Sequence, residues 1–251
     1  MQILLSCAKT MADRTAVRTP RTTEPLFRAE ADAAAAALAS LPADDLARIL
    51  RVNRAIASEN RRRYASFHDA GTLPALAAYT GIVFKRLDPS TFTEADFEYA
   101  QNHLNITSFL YGLLRPLDAI RPYRLEGDAI LPGGDEETRF AFWQQRLTDL
   151  FLDKIRADDG LLLNLASAEM KRLFDWRRLC REVRVLTPEF RIREGERLRT
   201  VVVYTKMCRG EMTRFVLKNR ICDPEIVKTF EWEGFRFDPA GSRGDDWLFT
   251  M

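Results

Sequence analysis

The sequence predicts an α/β fold: a mixed sheet with surrounding helices, in a single domain over residues 1–251. Three observations predict it. Gln2 to Ser6 is a short apolar run ending in small polar residues, the pattern of a buried strand that opens into a loop. Leu161 to Leu165 repeats that pattern directly after a helical stretch, Arg139 to Ile155, whose Phe142, Trp143, Leu147, Leu150 and Phe151 fall at helical spacing. Two β-rich runs, Val183 to Arg193 and Leu198 to Tyr204, flank the turn Glu194-Gly195-Glu196 and signal a hairpin.

The remaining elements follow in order. Met11 to Pro25 is rich in Thr, Arg and Pro, has no hydrophobic period, and reads as a loop. Phe27 to Leu41 is an alanine-rich helix. Pro42-Ala43-Asp44-Asp45 opens the next, with acids at its positive end; it carries Leu46, Ile49, Leu50 and Ile56 inward and runs to Tyr64. Arg61-Arg62-Arg63 near its end suits the helix dipole. Leu73 to Tyr79 is a short helix or strand leading to Gly81. Thr93 is an N-cap followed by acids. The block Asp96 to Glu126 reads as helix, tight hairpin turn, short helix or turn, then an extended exit, because Gly112 interrupts an apolar turn and Pro116 and Pro122 forbid one continuous helix. Leu131 to Asp135 is a loop. Ser167 is a candidate N-cap. Lys206 to Gly210 leads into a helix that reaches Asn219. Asp223-Pro224 starts a short helix, and Phe235 to Phe237 and Trp247 to Phe249 are closing strands.

The chain has 251 residues, 46% hydrophobic and 29% charged, an ordinary globular balance. Its 38 basic and 36 acidic residues leave a net charge of +2, so any basic surface must come from segregated charge. Cys7, Cys180, Cys208 and Cys222 are scattered, with no paired spacing; they read as free thiols in a reducing cytoplasm. The N-terminus lacks a signal-peptide layout and no run is long enough to span a membrane. No nucleotide loop, metalloprotease motif or nucleophile elbow is present, and His68 and His103 are too isolated for a metal site. No cofactor and no metal are expected.

The loop Ser6-Cys7-Ala8-Lys9 follows the first strand, where α/β folds place ligand-binding groups. On position alone the plainer reading is that Lys9 is a solvated loop lysine.

Several stretches together resemble the YaaA family of bacterial peroxide-stress-resistance proteins. They are ILLSCAKTM from Ile3, the Asp96 to Glu126 block with QNHL, LYGLLRPLD and RPYRLE, LLLNLASAEM from Leu161, VVVYTKMCRGEMTRFVLKNRI from Val201, and the closing GFRFDPAGS. The resemblance implies a compact α/β fold, double-stranded DNA as partner, a positively charged cleft, a helix-hairpin-helix-like element over Ile106 to Leu117, and a role in limiting oxidative damage and free iron. On that reading Gly112 lets backbone approach a phosphate, with Arg115, Arg121 and Arg124 as phosphate partners. The alternative is that Gly112 and Pro116 only shape a buried turn. The chain departs from the family pattern at Cys7, Ile82, Phe84, Met170 and Cys208, beside Ser6, Lys9, Asn164, Ser167, Glu169, Lys206, Arg209 and Arg214. A second functional expectation is therefore an enzyme acting on a small phosphorylated or nucleotide-like ligand. Lys9, Asn164, Ser167, Lys206, Arg209 and Arg214 would bind it, and Lys9, Lys206, Ser6, Cys7 and Glu169 are the catalytic candidates. An open groove favours DNA; a closed pocket around Lys9 and Lys206 favours the small ligand.

Overall fold

A computed structural model describes residues 1–133 and 136–251; of the expected loop Leu131 to Asp135, residues 134–135 lie outside the described residues. Strand β1 (Gln2–Leu5) is buried along its whole length, as a central strand covered on both faces requires. Helices α1 (Arg28–Ala39), α2 (Ala43–Leu50) and α3 (Arg54–Ala65) follow. The single helix expected from Pro42 to Tyr64 is two. Arg51 turns left-handed at φ 50° and ends α2, and Asn53 restarts the chain by accepting from the Ile56 N–H at 2.9 Å.

Strand β2 (Leu73–Pro74) and helices α4 (Ala75–Ala78), α5 (Ile82–Leu87) and α6 (Glu94–His103) come next. Thr93 caps α6 as expected, in a reciprocal capping box with Asp96. Strands β3 (Leu104–Ser108) and β4 (Gly112–Leu114) pair antiparallel, and β5 (Ala119–Ile120) pairs with β2. The helix-hairpin-helix expected over Ile106 to Leu117 is thus a β-hairpin. Leu104 to Leu114 is fully buried, and a chain that must pair inside a sheet takes the extended form whatever its helical spacing suggests.

Helix α7 (Arg139–Asp158) leads to β6 (Leu161–Leu165), the short helices α8 (Ala168–Lys171) and α9 (Trp176–Glu182), and β7 (Arg184–Glu194). Strand β8 (Arg197–Arg199) completes the expected hairpin but stops early, because the run Val202 to Tyr204 opens helix α10 (Val202–Lys218). Cys208, Met212 and Val216, four residues apart and buried, anchor that helix; its inward stripe overrides the β preference of its first residues. Helix α11 (Pro224–Val227) and strands β9 (Arg236–Phe237) and β10 (Asp246–Thr250) close the chain.

The main sheet runs β4-β3-β1-β6-β7-β10-β9, with β8 added to β7. Strands β3, β1, β6, β7 and β10 are parallel neighbours. From β1 the chain first moves out to β3 and then returns to β6 on the other side, so β1 lies at a switch point of the sheet. Leu5 pairs with Ile106 and with Leu165, so β1 and β6 end level while β3 runs on to Ser108. The crevice outside those carboxyl ends is where open α/β sheets bind ligands.

Candidate functional site

A pocket of about 420 Å³ occupies that crevice. Three adjacent strands feed it: Ser6 to Lys9 after β1, Phe109 after β3, and Ser167 and Glu169 after β6. Helices α5 and α10 form the opposite wall through Ile82 and Val83 and through Lys206 and Arg209. Two glycines permit this closure. A Cβ on Gly81 would sit 2.7 Å from the Ala8 Cβ, and one on Gly210 would sit 2.3 Å from the Val83 carbonyl oxygen. The Ser6 to Met11 loop is also tied to this wall by backbone bonds from Thr80 to Thr10 and from Ala12 to Ala78.

The basic groups divide into two sets. Lys9 donates to Glu126 at 3.1 Å, and Arg124 reaches the same carboxylate at 2.8 Å, so that corner is largely neutralised from within. Lys206 is exposed and Arg209 is half-buried, and among the described residues neither forms a side-chain hydrogen bond or ion pair. The Arg209 Nε is shielded from water with no acceptor, and burial lowers the pKa of its guanidinium. Glu169 is likewise exposed and unpaired among the described residues. Ser6 Oγ accepts from the Ser167 N–H at 2.9 Å and lies 3.4 Å from Ser167 Oγ, joining the ends of β1 and β6.

The Cys7 thiol is pushed up to about 12, first by burial and then by Glu169 and Glu126. It stays protonated at neutral pH and is a poor nucleophile there. Tyr123 lines the pocket, and its hydroxyl is committed to partners inside the fold. Ser108 Oγ accepts from the N–H groups of Leu110 (3.3 Å) and Tyr111 (2.9 Å), which occupies its lone pairs. Its own proton is therefore given to Tyr123 Oη at 2.6 Å, and Tyr123 shares a second bond with Tyr79 Oη at 2.9 Å.

Of the residues singled out in the sequence, Ser6, Cys7, Lys9, Ser167, Glu169, Lys206, Arg209 and Arg124 meet in this one pocket. Others do not. Asn164 is buried and its Oδ1 accepts from the Ala166 N–H at 3.2 Å, which shapes the turn after β6. Arg214 points away to the carbonyls of Leu87 and Asp88. Arg115 is clamped on Asp118 at 2.9 Å and reaches the Glu24 carbonyl. Arg121 is buried, donating to the carbonyls of Ala70 (3.0 Å) and His68 (3.2 Å). Gly112 has φ +74° and lies under the Trp143 ring, whose Nε1 holds the turn through the Phe109 carbonyl at 2.8 Å. Its backbone is covered by that ring instead of being presented to a phosphate. Among the departures from the family pattern, Cys7, Ile82 and Met170 line the pocket, whereas Phe84 and Cys208 are buried.

The sequence did not single out Tyr123, which lines the pocket, or Glu126, the carboxylate that holds Lys9 and Arg124 at its edge. Arg124 and Glu126, two apart on an extended exit, share a face and were a readable pair. No local signal identifies Tyr123.

These features define an α/β protein with a basic-rimmed cleft at the switch point of a largely parallel sheet. The family model described as peroxide stress protein YaaA matches residues 1–241. A UPF0246 protein of Bacteroides thetaiotaomicron is 58% identical over 242 residues, 96% of this chain and 94% of that one. A UPF0246 protein of Bacteroides fragilis is 57% identical over 252 residues, covering 100% and 98%. One from Burkholderia lata is 34% identical over 256 residues, covering 99% and 98%. The chain belongs to the peroxide stress protein YaaA family.

Proposed function

We propose that this chain binds a small phosphorylated or nucleotide-like anion in the strand-end pocket, with Lys206 and Glu169 as the ionisable groups available for chemistry on it. The observation that carries this reading is Arg209. Arg209 lines the pocket, is half-buried and has no side-chain hydrogen-bond or ion-pair partner among the described residues; such a guanidinium is costly to keep, and an oxyanion in the pocket would pair with its outer nitrogens. Lys206, one helical turn away, adds a second uncommitted cation. Titration calorimetry with inorganic phosphate tests the reading. The wild-type chain binds phosphate and Arg209→Ala loses at least about tenfold in affinity, the value of one charge-assisted hydrogen bond. Equal affinity in the two proteins removes the proposal.

A second reading, a cytoplasmic stress protein that binds duplex DNA through its phosphate backbone, draws on a different surface. Arg14, Arg18, Arg61 and Arg62 are exposed and make no ion pair among the described residues. Arg63 reaches Asp13 at 3.3 Å, which brings the Met11 to Pro25 segment against the end of α3. Fluorescence anisotropy on a duplex tests it: affinity falls with salt, and an Arg61→Ala/Arg62→Ala variant reduces the log–log salt slope by about 2. A wild-type protein that leaves the duplex unbound at low salt ends this reading.

A further inference from the structure

The pocket is electrically two-ended. Its uncommitted cations, Lys206 and Arg209, both come from α10, whereas its uncommitted carboxylate, Glu169, comes from the first turn after β6, beside the β1 loop. No ion pair joins Glu169 to either cation among the described residues, although all three face one cavity. At the Glu169 end, Glu126 and the Lys9 it holds also act on the Cys7 thiol; the carboxylate acting on Arg209 is Glu189, which lies outside the pocket. The lining also carries apolar side chains from both walls, Ile82 and Val83 from α5 and Phe109, Leu165 and Met170 from the strand ends. The volume of about 420 Å³ is that of a site for a small metabolite, not a polymer.

We infer that the ligand is a mononucleotide-sized phosphate ester whose far end carries paired N–H donors: its phosphate rests on Arg209 and Lys206, its flat apolar body lies on the Ile82, Val83 and Met170 surface, and its donor edge faces the Glu169 carboxylate. This rests on the small-anion reading of the same pocket. A carboxylate accepts two parallel N–H bonds and donates none, so it selects an amidine-like edge and repels an acceptor edge or a second anion. Selectivity and affinity therefore come from opposite ends of the pocket.

The matched probes are guanosine 5′-monophosphate and inosine 5′-monophosphate, which differ by one amino group on that edge. Calorimetry on the full chain compares wild type, Glu169→Gln and Arg209→Ala, with inorganic phosphate as the third probe. The expected result is that guanosine monophosphate binds the wild type about tenfold more tightly than inosine monophosphate, the worth of one hydrogen bond to a charged acceptor. Glu169→Gln erases that ratio and leaves phosphate affinity unchanged; Arg209→Ala weakens all three probes together. Equal binding of the two nucleotides, binding of phosphate with neither nucleotide, or a ratio that survives in Glu169→Gln overturns the inference while the phosphate site stands. Loss of the phosphate site itself, with wild type and Arg209→Ala alike, overturns both. Glu169 lies at the exposed rim of the pocket, and a circular dichroism melt of each variant confirms that folded proteins are being compared.

Discussion

In the Asp96 to Glu126 block, Arg115, Arg121 and Arg124 each find an acceptor inside the fold; on α10, Arg209 and Lys206 find none among the described residues. Both regions present arginines near turns or helix ends, and both read in sequence as phosphate-binding surfaces. What separates them is the availability of a partner. The block supplies Asp118 (1% exposed) and Glu126, and segments packed on it supply the carbonyls of Glu24, His68 and Ala70, so its arginines fasten loops together. Helix α10 is held by its apolar stripe, by close packing on α5, and at its far end by Arg214 on the Leu87 and Asp88 carbonyls and Lys218 on Asp96; Lys206 and Arg209 do none of this fastening among the described residues. A cation that is expensive to bury and does no fastening is the better candidate for ligand work. The two regions are joined by Lys218, which reaches Asp96 at 2.6 Å.

Substitutions that remove structure should therefore hurt most in the block and least at α10. The largest effect is expected from Gly112→Ala. Its Cβ would lie 2.6 Å from the Trp143 ring at a left-handed backbone angle, and overpacking plus backbone strain amount to about 3 kcal/mol of lost stability, read by chemical denaturation. Arg121→Ala comes next. It strips two carbonyls of their donor and opens the packing over Phe67, for a loss of about 2 kcal/mol in the same assay.

Asp96 gives a smaller and pH-dependent effect. Burial opposes its charge, but Lys218 and the Thr93 N–H and hydroxyl win, and its pKa lies below the usual carboxylate value. A carboxyl depressed on folding stabilises the protein above its unfolded pKa, and that contribution is lost as pH falls through the folded value. Asp96→Asn should flatten the acid limb of the stability–pH curve below about pH 4 and cost about 1 kcal/mol at neutral pH through the broken capping box. The smallest effect belongs to Arg209→Ala. Its melting point should match or exceed wild type, with stability within about 0.5 kcal/mol, because only an unpartnered desolvated charge is removed. A large loss of stability there would mean that Arg209 is structural and that the contrast with the block fails.

One further measurement concerns Lys154, where α7 meets the block. Burial brings the Lys154 ammonium, bonded to Asn105 Oδ1 at 2.6 Å, down to about 8. The unfolded chain then holds more protons than the folded one between about pH 8 and the usual lysine value, so stability should rise with pH across that window, and Lys154→Met should abolish the rise.

Much of the element order was legible in the sequence. Leu161–Leu165, the Thr93 cap, the Asp223-Pro224 start and the long α7 stand where local patterns put them, because each rests on interactions within a few residues. The failures are the places where partners lie far along the chain. Leu104 to Leu114 carries helix-compatible spacing and forms a hairpin because β3 pairs with β1, about a hundred residues earlier. Val202 to Tyr204 has strand composition and forms a helix because α10 is committed by buried residues further on.

For the site, the sequence by itself determined the inventory: a strand-end Ser6-Cys7-Ala8-Lys9 loop, a Ser167 and Glu169 turn after a second buried strand, and the Lys206 and Arg209 segment. It also determined the family, through motifs that recur in order. Only the tertiary structure decided which of these groups meet and which are already taken. Lys9 and Arg124 share Glu126, Arg214 turns toward Leu87, and Arg209 is left facing a cavity. The reason is physical. Charge is a property of a residue, but whether that charge is free depends on acceptors brought to it by strands and helices more than a hundred positions away.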